Sequence, residues 1–302
     1  MNTPFFACIF ALIFAFTWVL KGYSQASAAK TDSTQAENSL LWRVSGNGLK
    51  KPSYLYGTIH AICPDDMVFP AKISQSFTEA KQVYLEIDMD NKGAMLAAQM
   101  KSIMKDGQSL QKLLSPAEYE KVNTFFKDSV GMSIGLFGRM KPLLLSALMY
   151  PKLLGCPKTV SYEEKFMKMA KEEDKKLLGL ESISDQMDAL DAIPVAQQAK
   201  WLVESVEDYP KMKKMYAEMV DLYKKEDLAG VAKLMEQEEE MTDSEGYEDN
   251  LLKNRNQNWI PVIAEAAKKS QTFFAFGAAH LMGENGVISL LRKEGYKVEA
   301  VK

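Results

Sequence analysis

The sequence predicts an α/β fold, a mixed sheet built from N- and C-terminal segments around a large helical middle. Three observations predict it. Apolar runs of strand length cluster near the two ends, helical periodicity dominates residues 94–270, and Thr272-Phe273-Phe274-Ala275-Phe276 offers apolar side chains to both faces. A strand apolar on both faces belongs inside a sheet covered on both sides. Strands at the ends with helices between them read as one sheet completed by both halves of the chain.

The first 28 residues are set apart from this fold. Phe5 to Leu20 carries no charge, and Ala26-Ser27-Ala28 follows as a small-x-small pattern. This predicts a secretory signal peptide over residues 1–28 and a secreted or periplasmic product; an uncleaved anchor is the alternative. Residues 29–302 then read as a single α/β domain with a helical insertion at about 94–270.

Leu40 to Val44 is the first expected strand, closed by the turn Ser45-Gly46-Asn47-Gly48. Ser53 to Gly57 carries Tyr54, Leu55 and Tyr56 toward His60. Val83 to Met89 alternates, with Val83, Leu85, Ile87 and Met89 on one face and Tyr84, Glu86 and Asp88 on the other. Lys176 to Leu180, Thr272 to Phe276 and Tyr296 to Val301 complete the strands. Among the helices, one opens at Ser115-Pro116, with Tyr119, Val122 and Phe126 at helical spacing. Ser161 to Glu173, Ala196 to Val206, Met212 to Lys224 and Glu248 to Lys268 follow, and Pro261 is expected to kink or restart the last. The acidic run Glu236 to Glu240 reads as a solvated helix end, and the many methionines as core packing.

Charge narrows the function. The chain holds 37 basic and 40 acidic residues; removing residues 1–28 takes away only Lys21, leaving 36 against 40, or −4. This mild acidity, without a basic tract, argues against nucleic acid and against a membrane surface after signal cleavage. Cys63 and Cys156 would remain as a pair, a candidate disulfide in an exported chain. Zinc held by two cysteines and two histidines is the poorer reading, since no Cys-x-x-Cys spacing occurs.

The chemistry centres on the chain's two histidines. Gly57-Thr58-Ile59-His60 and Gly277-Ala278-Ala279-His280 share one frame, each closing an apolar run. With 17 glycines in 302 residues, both frames arising by composition has a probability on the order of 0.3%. Scarce imidazoles at strand ends suggest one site assembled from distant segments. Glu86 could complete a two-histidine, one-carboxylate metal site, with Asp88 as its rival, or face solvent on an edge strand. Glu181 ends a strand before Ser182, a helix cap with Asp185 at the capping-box position; it could bind a metal, move a proton, pair with a cation or only stabilise the helix. Arg255 shares an apolar stripe with Leu251, Leu252, Trp259 and Ile263, so it needs an anionic partner or must snorkel. No His-Glu-x-x-His, Gly-x-Ser-x-Gly, Walker loop or Gly-x-Gly-x-x-Gly is present.

These residues carry a resemblance. Leu55-Tyr56-Gly57-Thr58-Ile59-His60, Val83-Tyr84-Leu85-Glu86-Ile87-Asp88, Gly179-Leu180-Glu181-Ser182 with Gln186, Arg255-Asn256, and Gly277-Ala278-Ala279-His280-Leu281-Met282-Gly283 resemble, in that order, the TraB/GumN family. Its relatives include the Tiki metalloproteases and, more distantly, ChaN-like haem-binding proteins. The resemblance implies an EreA/ChaN-like fold and peptide-bond hydrolysis aided by a divalent metal, manganese or cobalt, with zinc as a further option. It maps the metal onto His60, Glu86 and His280, and the helical arginine onto Arg255. The expected function is thus an exported metal-dependent hydrolase of Tiki-like peptidase type with a metal-activated water as nucleophile. Glu181 would steer or accept a proton and Arg255 would stabilise the oxyanion. The alternative is a non-catalytic binder of a peptide, a small ligand or haem, the last through Tyr54 or Tyr56.

Overall fold

The computed structural model describes residues 38–88, 92–239 and 249–302. The expected signal peptide lies outside them, as do Met89 and the side chains of the acidic run 236–240.

Within the described residues, six strands form one mixed sheet: β1 (Leu41–Gly46), β2 (Ser53–Thr58), β3 (Gln82–Ile87), β4 (Lys176–Glu181), β5 (Thr272–Gly277) and β6 (Tyr296–Ala300). Their order across the sheet is β4-β3-β5-β2-β1-β6. The four strands from β4 to β2 run parallel, while β1 is antiparallel to both β2 and β6. The turn after β1 forms where expected: Gly46, Asn47 and Gly48 all take positive φ, a region glycine and asparagine enter most easily.

β5 is central, and all six of its positions are buried. Phe273 packs on Phe166 of the helix Tyr162–Glu172 with centroids 4.9 Å apart. On the other face Phe276 meets Trp259 of the helix Asn254–Lys269 at 5.5 Å. Helices thus cover both faces, as the doubly apolar run predicts. β3 lies between β4 and β5, so Glu86 is not on an edge strand.

The last long helix corrects an expectation. Pro261 neither breaks nor restarts Asn254–Lys269, which runs through it. A proline removes the donor for the carbonyl four residues earlier, and both Pro261 and Gln257 are exposed, so water can serve that carbonyl. The helix begins later than expected, after a π-helical turn over Asp249–Lys253. Such turns often mark functional sites.

Two crosslinks bind the loop after His60 to the helical middle. Cys63 and Cys156 form a disulfide. Ile62 and Val160 form an isolated antiparallel bridge, with Ile62 N–H donating to Val160 O at 3.0 Å and the reverse bond at 2.9 Å. Ser161 then caps the helix Tyr162–Glu172. No helix among the described residues is long and apolar enough to cross a membrane.

Candidate active site

The carboxyl ends of the four parallel strands converge, the usual place for a site in an α/β sheet. β2 leads into His60, β3 carries Glu86 near its end, β4 ends in Glu181, and β5 ends in Gly277 just before His280. All five sequence-derived residues share one cluster, four from the strand ends and Arg255 from the helix Asn254–Lys269. Asp88 does not join it; it lines a separate cavity with Lys171, Asp174 and Lys175.

The two Gly-x-x-His frames interlock. A Cβ on Gly277 would lie 3.2 Å from His60 Nε2, 3.4 Å from Glu86 Oε1 and 3.7 Å from His280 Cδ2. A Cβ on Gly57 would lie 2.6 Å from Leu281 Cδ1 and 3.0 Å from Ala278 Cα. Each glycine therefore makes room for the other frame: a Cβ on Gly57 would overlap Leu281, and one on Gly277 would press on His60.

Arg255 sits at the centre of the cluster. Its Nε donates to both Glu181 oxygens at 3.0 Å, and Nη2 donates to Glu181 Oε1 at 2.5 Å and Glu86 Oε2 at 2.9 Å. Nη1 donates to Leu251 O at 3.1 Å and to His280 Nε2 at 3.0 Å. All five N–H donors are thereby used, which makes burial of the guanidinium tolerable. The ring of Trp259 lies under it, 4.6 Å from centroid to Cζ, and Trp259 Nε1 donates to Glu181 Oε2 at 3.1 Å. Ser182 and Asp185 form the expected capping box, so Glu181 is left to the site. Burial pushes the Glu181 carboxyl up, against the opposing pull of Arg255.

Each imidazole is oriented through Nδ1. Asn256 Nδ2 donates to Asn285 O at 2.9 Å, which turns Asn256 Oδ1 toward His280 Nδ1 at 2.5 Å. His280 therefore carries its proton on Nδ1 and offers the Nε2 lone pair. Burial, then the charges of Arg255 and His60, hold His280 well below the usual histidine range, so it is neutral. His60 Nδ1 lies 2.9 Å from Glu163 Oε1, and its Nε2 faces Glu86 Oε1 at 3.9 Å. Burial alone would lower the His60 pKa; Glu163, followed by Glu86, outweighs it and the net direction is up. Glu163 moves the opposite way: burial would raise it, but His60 and a 2.5 Å hydrogen bond from Thr58 Oγ1 hold it down.

Glu163 and Asn256 are the functional residues that sequence reasoning misses. Glu163 stands in the first turn of its helix, where an acid ordinarily serves the helix dipole. Asn256 borders Arg255, yet its type alone signals no partner. Tyr54 and Tyr56, considered for haem, lie in other surroundings: Tyr54 donates to Glu79 at 2.5 Å and Tyr56 contacts the Tyr223 hydroxyl at 3.2 Å.

The donor set suits a small divalent cation in residue type. His60 Nε2 and Glu86 Oε1 stand around the cradle that a Gly277 Cβ would fill, and His280 borders it with Cδ2 while its Nε2 is held by Arg255. The imidazole Nδ1 atoms face oxygens of Glu163 and Asn256, the outer arrangement that fixes a metal-ligating tautomer. Three carboxylates against one guanidinium also favour a cation. Arg255 occupies the His280 lone pair, and among the described residues no three His, Cys, Asp or Glu side chains stand at ligand spacing. Full coordination therefore requires Arg255 Nη1 to release His280.

The chain is similar to Metalloprotease TIKI1 of Danio rerio, 24% identical over 91% of this chain and 66% of that protein. It is also similar to Metalloprotease TIKI homolog of Nematostella vectensis, 22% identical over 90% and 69%, and to Metalloprotease TIKI2 of Xenopus tropicalis, 22% identical over 87% and 60%. The chain thus spans 60% to 69% of these relatives' lengths. No solved structure matches it. The TraB/PrgY/gumN family model matches residues 40–300, from the entry into β1 through β6 and with every residue of the cluster included. On that match, the chain belongs to the TraB/PrgY/gumN family.

Proposed function

We propose that the protein is an exported metal-dependent peptidase. One observation carries the reading: two imidazoles, each oriented through Nδ1 by a side-chain oxygen, meet around one cradle, His60 Nε2 facing Glu86 at 3.9 Å and His280 Nε2 held by Arg255 at 3.0 Å. The similarity to proteins named metalloprotease supports it. His60, Glu86 and His280 would hold the cation, which when bound supplies Lewis-acid charge to polarise a scissile carbonyl and acidify water.

The residues divide the remaining work. Glu163 and Asn256 keep the imidazoles in register, so little reorganisation is left for the reaction. Glu181, with its carboxyl pushed up by burial, is suited to hold or pass a proton. Arg255 fixes Glu86 and Glu181; on exchanging His280 for substrate, its Nη1 would face negative charge developing on the carbonyl oxygen. The Cys63–Cys156 disulfide suits an oxidising compartment, in keeping with export.

The test is metal analysis of protein purified without a histidine tag, combined with peptide turnover after manganese, cobalt or zinc supplementation. Near-stoichiometric metal and chelator-sensitive cleavage are expected. Metal content that does not rise on supplementation would overturn the metal site. Chelator-insensitive peptide binding without turnover would favour the binding-protein alternative.

A further inference from the structure

Beside the imidazoles the structure opens a cavity of about 520 Å³ of atom-free space, its mouth included. One wall is polar: Thr58, His60 and His280. The rest is apolar and comes mainly from two consecutive helices. Tyr216, Met219 and Tyr223 lie along one stripe of the helix Tyr209–Lys224, and Val231 and Met235 lie one turn apart on the helix Leu228–Glu239. Ile59, Gly277, Ala278 and Ala279, from within the two histidine frames, complete the lining.

The two tyrosines add no polarity. Tyr216 OH donates to Ala61 O at 2.9 Å and Tyr223 OH donates to Gly57 O at 2.8 Å, so both hydroxyls are committed to backbone. Their rings are what remains to line the space. Thr58 Oγ1 is likewise committed, to Glu163. The free surface is therefore carbon and thioether, and it ends at the two imidazoles.

We infer that this cavity is the specificity subsite of the site proposed above, taking one aliphatic or thioether side chain from a residue flanking the scissile bond. The inference rests on that peptidase reading. Size restricts the occupant to one side chain at most: the centre of a water-sized sphere can move through only about 50 Å³ of this space, the rest being margin and open mouth. Charge supports an apolar occupant. No carboxylate lines the cavity to receive an ammonium group, and an acidic side chain would approach Glu86 and Glu163 behind His60. Methionines on the wall let it adjust to leucine or methionine, because an unbranched thioether repacks readily. A side chain seated there would bring its own peptide group to His60 and His280, coupling selection to placement.

The experiment uses the full folded chain with ¹³C-labelled methionine methyl groups, the Met219 and Met235 resonances being assigned through Met219→Leu and Met235→Leu. Titration with N-acetyl-leucinamide should shift both resonances saturably, and N-acetyl-aspartamide should not. Val231→Trp should abolish the shift; Ala279→Leu, at the half-buried mouth, gives the same test if the first variant fails to fold. On matched manganese-supplemented peptides, kcat/KM should favour leucine over aspartate at one flanking position by about 10-fold or more. Equal shifts with both amides, or cleavage without that preference, would overturn the subsite. Selective methyl shifts without turnover would keep the apolar pocket and overturn the peptidase reading instead.

Discussion

Gly277 lies where a Cβ would come within 3.2 Å of His60 Nε2, so one histidine frame is shaped around the other. Gly277→Ala is expected to fill the cradle between His60 and Glu86. Metal affinity and turnover should fall on the order of 10- to 100-fold, with the urea midpoint nearly unchanged. Gly57→Ala should do the reverse in kind, because its Cβ meets the Ala278 backbone and Leu281. Overpacking there should cost about 1–3 kcal/mol. Full activity in Gly277→Ala, measured beside its metal affinity, would show that the cradle is not the site.

Glu163→Gln keeps the size of the side chain but removes the charge that holds His60. Metal affinity should drop by roughly 10- to 100-fold, the usual effect of losing an outer partner to a ligating histidine. Titration calorimetry with manganese would measure it, and an unchanged affinity would make Glu163 a helix-terminal acid and nothing more.

Arg255→Ala leaves Glu86 and Glu181 buried without their shared cation. Breaking a buried pair from one side costs about 3–5 kcal/mol, so equilibrium unfolding should show a large loss along with lost turnover. Arg255→Lys should recover part of the stability and little of the activity, since an ammonium cannot replace a planar fork with five donors. A variant as stable and active as the parent would remove Arg255 from the centre of the cluster.

The paired substitution Cys63→Ser with Cys156→Ser opens a crosslink spanning a sequence separation of 93. In the chain-entropy treatment it should cost about 4–5 kcal/mol. Because the bridge ties the segment after His60 to the segment before Glu163, metal affinity should weaken too, even where the variant stays folded. Thermal unfolding with and without reductant, next to manganese titration, separates the two effects.

Alkaline pH should unfold the protein through its tyrosines. Burial, with a hydrogen bond to Glu79, raises Tyr54 from 10.0 to about 12; burial also raises Tyr56, Tyr162, Tyr216 and Tyr223. Above pH 10 the unfolded chain releases protons that the folded chain keeps, so stability falls as pH rises. For Tyr54 that loss runs between about 10 and 12. Circular dichroism and tyrosinate absorbance should change together, and Tyr216→Phe should flatten the slope. Tyrosinate forming ahead of unfolding would contradict the burial argument.

Much of this architecture was legible where periodicity or scarcity supplies the signal. β5 declares itself by five apolar-tolerant positions in a row, Arg255 by its place on an apolar stripe, and the histidines by a repeated frame. Glu163 and Glu164 show where legibility stops. They are adjacent, chemically equivalent acids in one helical turn, yet the first is buried against His60 and the second is exposed. Only tertiary placement distinguishes them. Strand order was hidden for a related reason: nothing local in Thr272–Gly277 states that it enters between β2 and β3. Pro261 misled because a proline's cost depends on whether the carbonyl it orphans can reach water.

The position of β5 has a temporal consequence. β2 and β3 emerge early from synthesis, but the strand that joins them comes after all the intervening helices. Until Thr272–Gly277 is available, His60 and Glu86 belong to halves of a sheet with a gap between them, and His280 has not yet appeared. A partly translated chain therefore lacks the assembled cluster, which is completed late, when the final segments dock. Chains halted before Thr272 should bind no manganese at the concentration that saturates the whole protein.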